Sequence, residues 1–472
     1  MKDYAPLIEH AFSSTPGEHS YVVDDIEGEV PESIRGTYYL NGPARFSRGD
    51  FHYHHWLDGD GMVCALHFED GRVEFVSRWV RSAKYLAEEE AGRPLFRTFG
   101  TAFQSDSLKR RMMLESPVNV SVYPYARRLL AFGEQGLPVE LDPVTLETRG
   151  EFNFHGALND ISPFAAHPKV DHATGELFNF GVAFGSNEPY LNFYRFDASA
   201  HLLFRKRLPL EYPCSIHDFG LSQNYAVFYL SPYLLDMQRF VSDDLTLLDS
   251  LHWEPQLGSR LLIVSRESGD KVRQLHIGSR HCLHFINCFE QHGRLHVDVL
   301  ELERPIYDQY RQVPNLFTEV CEGWPTRFVI DLNTHELIDT AVAHYRLAPD
   351  FPTINSSLIT RPYEDFWMLG ISGTGKHGRK FFDQLVHVRW PGKCACDVYE
   401  APARQYFGSE PILINEPDGP GVVICHLFDA ENSSSTFALF DAMYVEHGPK
   451  ALLRLKQPVH LGFHASFLAR SA

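Results

Sequence analysis

The sequence predicts an all-β chain arranged as a β-propeller, and three observations carry that expectation. Short runs of Val, Ile, Phe, Tyr and Leu recur along the chain, separated by clusters of Asp, Gly, Asn and Pro that mark turns. The phrase strand, acidic turn, strand repeats at 128–150, 191–208, 261–277, 327–344 and 437–456. Four histidines, His167, His217, His284 and His464, each sit in a short apolar segment from a different part of the chain. Ligands this scattered meet only in a fold whose strands converge on one point. A ring of four-stranded blades does so, because no blade buries its face alone and neighbours complete the core. His167 to His217 is 50 residues and His217 to His284 is 67, about one blade each. A two-sheet sandwich with four unrelated histidines is the competing architecture.

Three further segments are readable. Residues 82–92 (SAKYLAEEEAG) combine a Ser N-cap, good helix formers and a terminal glycine, which predicts a short surface or cap helix. Residues 101–115 (TAFQSDSLKRRMMLE) place Leu108, Met112 and Met113 near one helical face beside Lys109, Arg110 and Arg111, a pattern that fits a membrane-surface element or a solvated helix on the core. The run YLSPYLLDM (229–237) is unusually apolar for a loop and is a second candidate for a membrane-facing rim. Nothing divides the chain, so residues 1–472 are expected to form one domain.

Composition narrows the function classes. Acidic residues outnumber basic ones, 61 against 43, for a formal net charge of −18, which opposes binding to nucleic acid through its phosphates. The 35 Phe and 21 Tyr either fill a large β core or line a route for an apolar ligand. Eight cysteines without a Cys-x-x-Cys pair, and an opening without a basic stretch before an apolar run, point to a reducing, cytoplasmic location. Cys394 and Cys396 would face opposite ways in a strand, so no site is assigned to them. With no long uninterrupted apolar stretch, any membrane contact would be peripheral.

The motifs carry the chemistry. Imidazole suits iron, copper, nickel and zinc, and four neutral imidazoles leave the charge of a divalent ion unbalanced. Most of the 25 histidines, including His52, His54, His55, His67, His155, His172 and His281, read as surface or hydrogen-bonded core residues. GISGTGKHG (370–378) approaches a phosphate-binding loop, but His377 and Gly378 stand where a magnesium-binding Ser or Thr and a helix start are needed, so no nucleotide is expected.

The wider sequence resembles the carotenoid cleavage oxygenase family, which includes apocarotenoid oxygenases, lignostilbene dioxygenases and the retinoid isomerohydrolase. The likeness runs through IEGEVPESIRGTYYLNGPARF (26–46), WLDGDGMVCALHF (56–68), FGEQGLPVELDPVTLET (132–148), AAHPKVDHATGELFNFG (165–181), SIHDFGLS (215–222), LHFINCFE (283–290), SEPILI (409–414) and LGFHASF (461–467). It implies a seven-bladed propeller with a cap of helices and loops over an axial metal. His167, His217, His284 and His464 fall where the family places its iron ligands, one Fe2+ per chain, and Glu134, Asp350 and Glu410 match the carboxylates that hold the ligand rings. Asp350 departs from the Glu usual in the family, which implies either a closer backbone or a bridging water.

The implied reaction is oxidative scission of a conjugated C=C bond of a carotenoid or apocarotenoid. Four protein ligands leave positions open for O2, the alkene is oxygenated, and a dioxetane-like or epoxide-type intermediate collapses to two carbonyl products. No protein acid or base is assigned. An apolar tunnel would set which bond is cut, and such a substrate implies peripheral membrane association. Stilbene-cleaving relatives carry Lys immediately before the residue matching Glu134; Gly133 stands there in this chain, which favours carotenoids. Cleavage of a stilbene, isomerohydrolase activity and a metal-free binding platform remain as alternatives.

Overall fold

The structure, a computed structural model, describes residues 3–13, 15–184, 188–242, 245–390, 396–416 and 419–470. Seven antiparallel sheets make the blades of a propeller. Blades 2 to 6 follow one another along the chain, with innermost strands Ser121–Tyr125, Lys169–Asp171, Phe219–Leu221, His281–Gln291 and Asp350–Ile354. The two ends of the chain close the ring. Ala465–Ala469 pairs with Gly36–Arg45 as the innermost strand of blade 1, and Asp25–Gly28 pairs with Pro449–Arg454 as the outermost strand of blade 7.

Burial explains the two kinds of strand. The inner strand HCLHFINCFEQ of blade 5 is buried over nine consecutive residues because neighbouring blades cover both its faces. The outer strand KVRQLHIG of blade 4 alternates between half-buried and exposed positions, with one face in water. Phenylalanines fill the seams between blades: Phe180 meets Phe219 and Phe228 edge-on, both at 5.5 Å, where blade 3 packs on blade 4. Core packing therefore accounts for much of the aromatic content.

The helix Ala83–Ala91 forms where the sequence placed it. Ser82 Oγ accepts from the Tyr85 N–H, and Gly92 closes the helix at φ +62°. Its inner face is not apolar. Lys84 donates to Asp60 at 2.8 Å and Glu88 at 2.9 Å, and Arg48 pairs with the same two carboxylates at 2.6 and 3.0 Å, all out of contact with water. Each ion compensates another, so removing one strands its partners. Asp60→Ala is expected to cost about 3–5 kcal/mol of stability, read as a lower urea midpoint; an unchanged midpoint would contradict this role for the network.

Two expectations fail. Residues 101–115 form an irregular loop, not a helix: Ser105, Arg110 and Arg111 lie at φ +69°, +53° and +63°, and only isolated bridges at Phe96–Ser107 and Lys109–Met113 order it. Polar side chains win over the helical periodicity. Asp106 accepts from the Phe103 N–H and from the Arg97 guanidinium, and the Thr101 hydroxyl donates to Asp58. The run 229–237 is no rim, because Tyr229 and Leu230 end a buried strand and the buried Tyr233–Leu235 pairs with the partly exposed Leu251–Trp253. Residues 371–378, the segment that imitates a phosphate-binding loop, are turns. Cys394 lies outside the described residues.

Candidate metal centre

Every blade delivers one of the seven singled-out residues to the axis. His464 enters just before the inner strand of blade 1, His167 and His217 just before those of blades 3 and 4, and His284 from within that of blade 5. Glu134 follows the second strand of blade 2, Asp350 opens the inner strand of blade 6, and Glu410 precedes that of blade 7. Hydrogen bonds between blades fix the entry points. The Ser121 hydroxyl donates to the carbonyl of Ala166 and the His464 N–H donates to Val120, while within blade 1 the Asn41 N–H donates to the His464 carbonyl.

The four rings point their Nε2 atoms at one another. His167 to His217 is 2.9 Å, and His217 to His284 and His284 to His464 are both 3.2 Å, with all four candidate ligand atoms within 4.8 Å of each other. Behind two rings stand carboxylates in hydrogen-bonding contact: Glu134 Oε1 is 2.9 Å from His217 Nδ1, and Asp350 Oδ1 is 2.5 Å from His284 Nδ1. An Nδ1–H donated to each carboxylate leaves a lone pair on each Nε2. Two lone pairs 3.2 Å apart repel, and a cation between them turns that repulsion into ligation. This group can hold a metal ion.

The third carboxylate is set differently. Glu410 Oε2 lies 3.4 Å from His464 Nδ1 but accepts its hydrogen bond from the Ala465 N–H, and His464 Nδ1 is left without a partner. Asp350 reaches His284 directly, so of the two ways to accommodate the shorter side chain the closer backbone is the one present. A shift in strand register between Asp350 and Thr353 brings it near, and Phe351 is forced to φ +52°. Such a conformation costs a bulky residue about 1–3 kcal/mol and persists where surroundings impose it. Here the Phe351 ring packs 5.7 Å from His284 and 5.2 Å from His464.

Burial and charge set the protonation states. Burial, reinforced by the neighbouring imidazoles, pushes His167 and His284 well below the usual histidine range. Burial opposes the His217 imidazolium too, but the carboxylates of Glu134, Asp218 and Asp350, Glu134 foremost, together outweigh it and raise the pKa. Burial pushes the Asp350 carboxyl up from 3.8 to about 6. Between those values the folded metal-free protein binds more proton at this group than the unfolded chain does, so its contribution to stability falls as pH rises through the window. The thermal midpoint of metal-free wild type minus that of Asp350→Asn is expected to fall from pH 4 to pH 6.5; a flat difference would contradict the shift.

An apolar cavity of about 90 Å³ borders the centre. Phe99, Leu114, Phe164, Phe180 and Tyr307 line it, Glu134 reaches it from the metal side, and the Tyr307 ring is 6.4 Å from His217. At its edge stand Ser116, Gln135 and Glu115, the last paired with Lys109 at 3.0 Å. Gly133 is no simple vacancy, since a Cβ there would lie 2.0 Å from Ser116 Oγ. Apart from Glu134 and the end of segment 101–115, sequence reasoning missed these lining residues, which come from distant stretches with no shared motif. His281 also differs from expectation: it is buried, yet neither ring nitrogen has a hydrogen-bond partner.

Known proteins fit this picture. The family model described as retinal pigment epithelial membrane protein (RPE65) matches residues 12–469. An isoeugenol monooxygenase of Pseudomonas nitroreducens is 34% identical over 458 residues, covering 94% of both chains. The apocarotenoid-15,15'-oxygenase of Synechocystis sp. is 27% identical over 478 residues, covering 97% of this chain and 95% of the relative. A solved structure of a Synechocystis apocarotenoid oxygenase variant superimposes with a TM-score of 0.90 at 24% identity, covering 99% of this chain and 100% of the other, and shares the seven-bladed fold. With a family model spanning nearly its whole length and a relative 34% identical, the chain belongs to the RPE65 family of carotenoid cleavage oxygenases.

Proposed function

We propose that this chain is a non-haem Fe(II) dioxygenase that cleaves a conjugated C=C bond to two carbonyl products, with one Fe2+ held by His167, His217, His284 and His464. The observation that carries the reading is the convergence of four Nε2 atoms with carboxylates behind two of the rings. Ferrous iron bound there would supply the activation of O2. The protein's part is positional. Glu134 and Asp350 hold the Nδ1 protons of His217 and His284 and so keep both Nε2 atoms aimed inward. The apolar cavity orients the alkene beside the centre and excludes water. The whole chain acts as one domain in this reading, because its two ends complete blades 1 and 7.

Carotenoids or apocarotenoids are the first substrate class. A second reading, a compact aryl alkene bearing a ring oxygen, is favoured by the polar side chains in the otherwise apolar lining of the cavity. The most similar relative named above is an isoeugenol monooxygenase, and Ser116, Gln135 and Glu115 offer polar partners for an oxygenated end. The deciding experiment incubates iron-loaded protein with O2 and an apocarotenal, a hydroxystilbene or a propenyl phenol, and identifies the aldehydes by mass. Polyene aldehydes support the first class and aryl aldehydes the second. No cleavage of any of them, or of longer polyenes, leaves the binding platform as the better account.

Peripheral membrane contact belongs to the same proposal, with a cytoplasmic location. No helix among the described residues is long and apolar enough to cross a membrane. The support is local: Met112 is 46% exposed beside Arg110 and Arg111 on the loop that leads into the cavity wall at Leu114, and Val241 is 40% exposed. Met112→Ser is expected to weaken partitioning onto anionic liposomes about tenfold or more, in line with the roughly 1.5–3 kcal/mol of one buried apolar side chain; undiminished sedimentation would count against membrane docking through this loop.

A further inference from the structure

We infer that Asp218 is a positioning residue that ties three of the four histidine-bearing segments into one unit and so sets the spacing of the metal ligands. The inference rests on the proposal that the four histidines hold a metal. Asp218 directly follows His217 and is 4% exposed. Its Oδ1 accepts from the N–H of Phe219, fixing the turn into the inner strand of blade 4 at 2.8 Å. Its Oδ2 accepts from the N–H of Phe285 at 2.8 Å, and Phe285 directly follows His284 on blade 5. Lys169, two residues after His167 on blade 3, donates to Oδ1 at 2.7 Å.

One carboxylate thus reaches the backbone or side chain within two residues of three ligands from three consecutive blades. The position is suited to control. A residue adjacent to a ligand moves the ligand's Cα when it moves, and the inner strands of blades 4 and 5 pack directly on each other at this level. The charge suits it as well. Asp218 is balanced by Lys169, so the pair adds no net charge beside a centre of neutral imidazoles, and the carboxylate is committed to three donors and not to a histidine ring. It therefore acts on geometry, whereas Glu134 and Asp350 act on ring tautomer. The fourth segment, at His464, is tied separately through Val120 and Asn41.

Asp218→Asn keeps the size but replaces an acceptor with an N–H donor, which must face either the Phe285 N–H or the Phe219 N–H and the Lys169 ammonium. The test is anaerobic titration of metal-free protein with Co2+ alone, read by the visible ligand-field bands, with the dissociation constant fixed by a competing chelator. Wild type is expected to give bands that His284→Ala lacks. For folded Asp218→Asn the expected result is a Kd raised about tenfold or more, the range for groups that orient metal ligands, together with shifted bands. A wild-type Kd and spectrum overturn the inference, and so does a weaker Kd with an unchanged spectrum, which reports lost stability alone. If Asp218→Asn does not fold, Lys169→Met decides, since Lys169 lies partly in solvent and its loss spares both backbone bonds. Shifted bands with a Kd raised about threefold support the tie, and wild-type behaviour overturns it. Wild type that takes up neither Co2+ nor Fe2+ overturns the metal centre itself.

Discussion

His284→Ala, purified and reconstituted without oxygen, is expected to retain less than about a hundredth of the wild-type affinity for Fe2+ and to form no carbonyl product when O2 and substrate are added. His284 is the hinge of the cluster. Its Nε2 lies 3.2 Å from those of both His217 and His464, so its removal opens a gap between the remaining rings. The side chain is buried in the axis with Phe351 on one side, and truncation leaves a hole lined by Asp350, whose carboxyl then has no imidazole to receive. Far-UV circular dichroism should stay close to wild type, because the strand His281–Gln291 keeps its pairing with Arg294–Leu302. Metal content by elemental analysis checks the first claim and mass identification of products the second. Full iron occupancy in this variant would place the ligand set elsewhere.

Asp350→Ala is expected to weaken Fe2+ binding about 10- to 100-fold while leaving the four rings in place. The carboxylate does two things: it accepts the Nδ1 proton of His284, and it places a negative charge near a divalent ion that four neutral imidazoles cannot balance. Asp350→Asn separates the two. Its amide oxygen still accepts the proton but carries no charge, so its loss of affinity should fall between wild type and Asp350→Ala. Asp350→Glu is not expected to restore wild-type affinity, because the register shift and the left-handed Phe351 have adapted the backbone to the shorter side chain. Equal affinity in wild type and Asp350→Ala, measured against a chelator, would remove this residue from the centre.

Much of this arrangement is legible in sequence because the residues that approach the axis do so within short stretches that keep their neighbours. His167, His217, His284 and His464 each lie in or beside an inner strand, within short apolar segments, so the pattern stands out from exposed histidines. The strand and turn phrases work for the same reason, since outer strands alternate and acidic turns punctuate them. What fails is what depends on distant partners. The loop 101–115 has a helical apolar spacing, but the buried Arg97–Asp106 pair and the Thr101–Asp58 bond bend it into another shape. The run 229–237 is apolar because it is interior. Ser116 fills the space beside Gly133 from a separate part of the blade, and Asp218 gains its meaning only when Phe285, 67 residues away, comes within 2.8 Å.

X-ray absorption at the iron edge of anaerobically reconstituted protein measures the proposed centre most directly. The account predicts one Fe2+ per chain surrounded by four imidazole nitrogens, with the multiple-scattering signature of the rings and the remaining positions held by light, exchangeable atoms. A shell containing sulfur, or fewer than three imidazoles, or a protein that takes up zinc in a closed tetrahedral site and excludes iron, would contradict it.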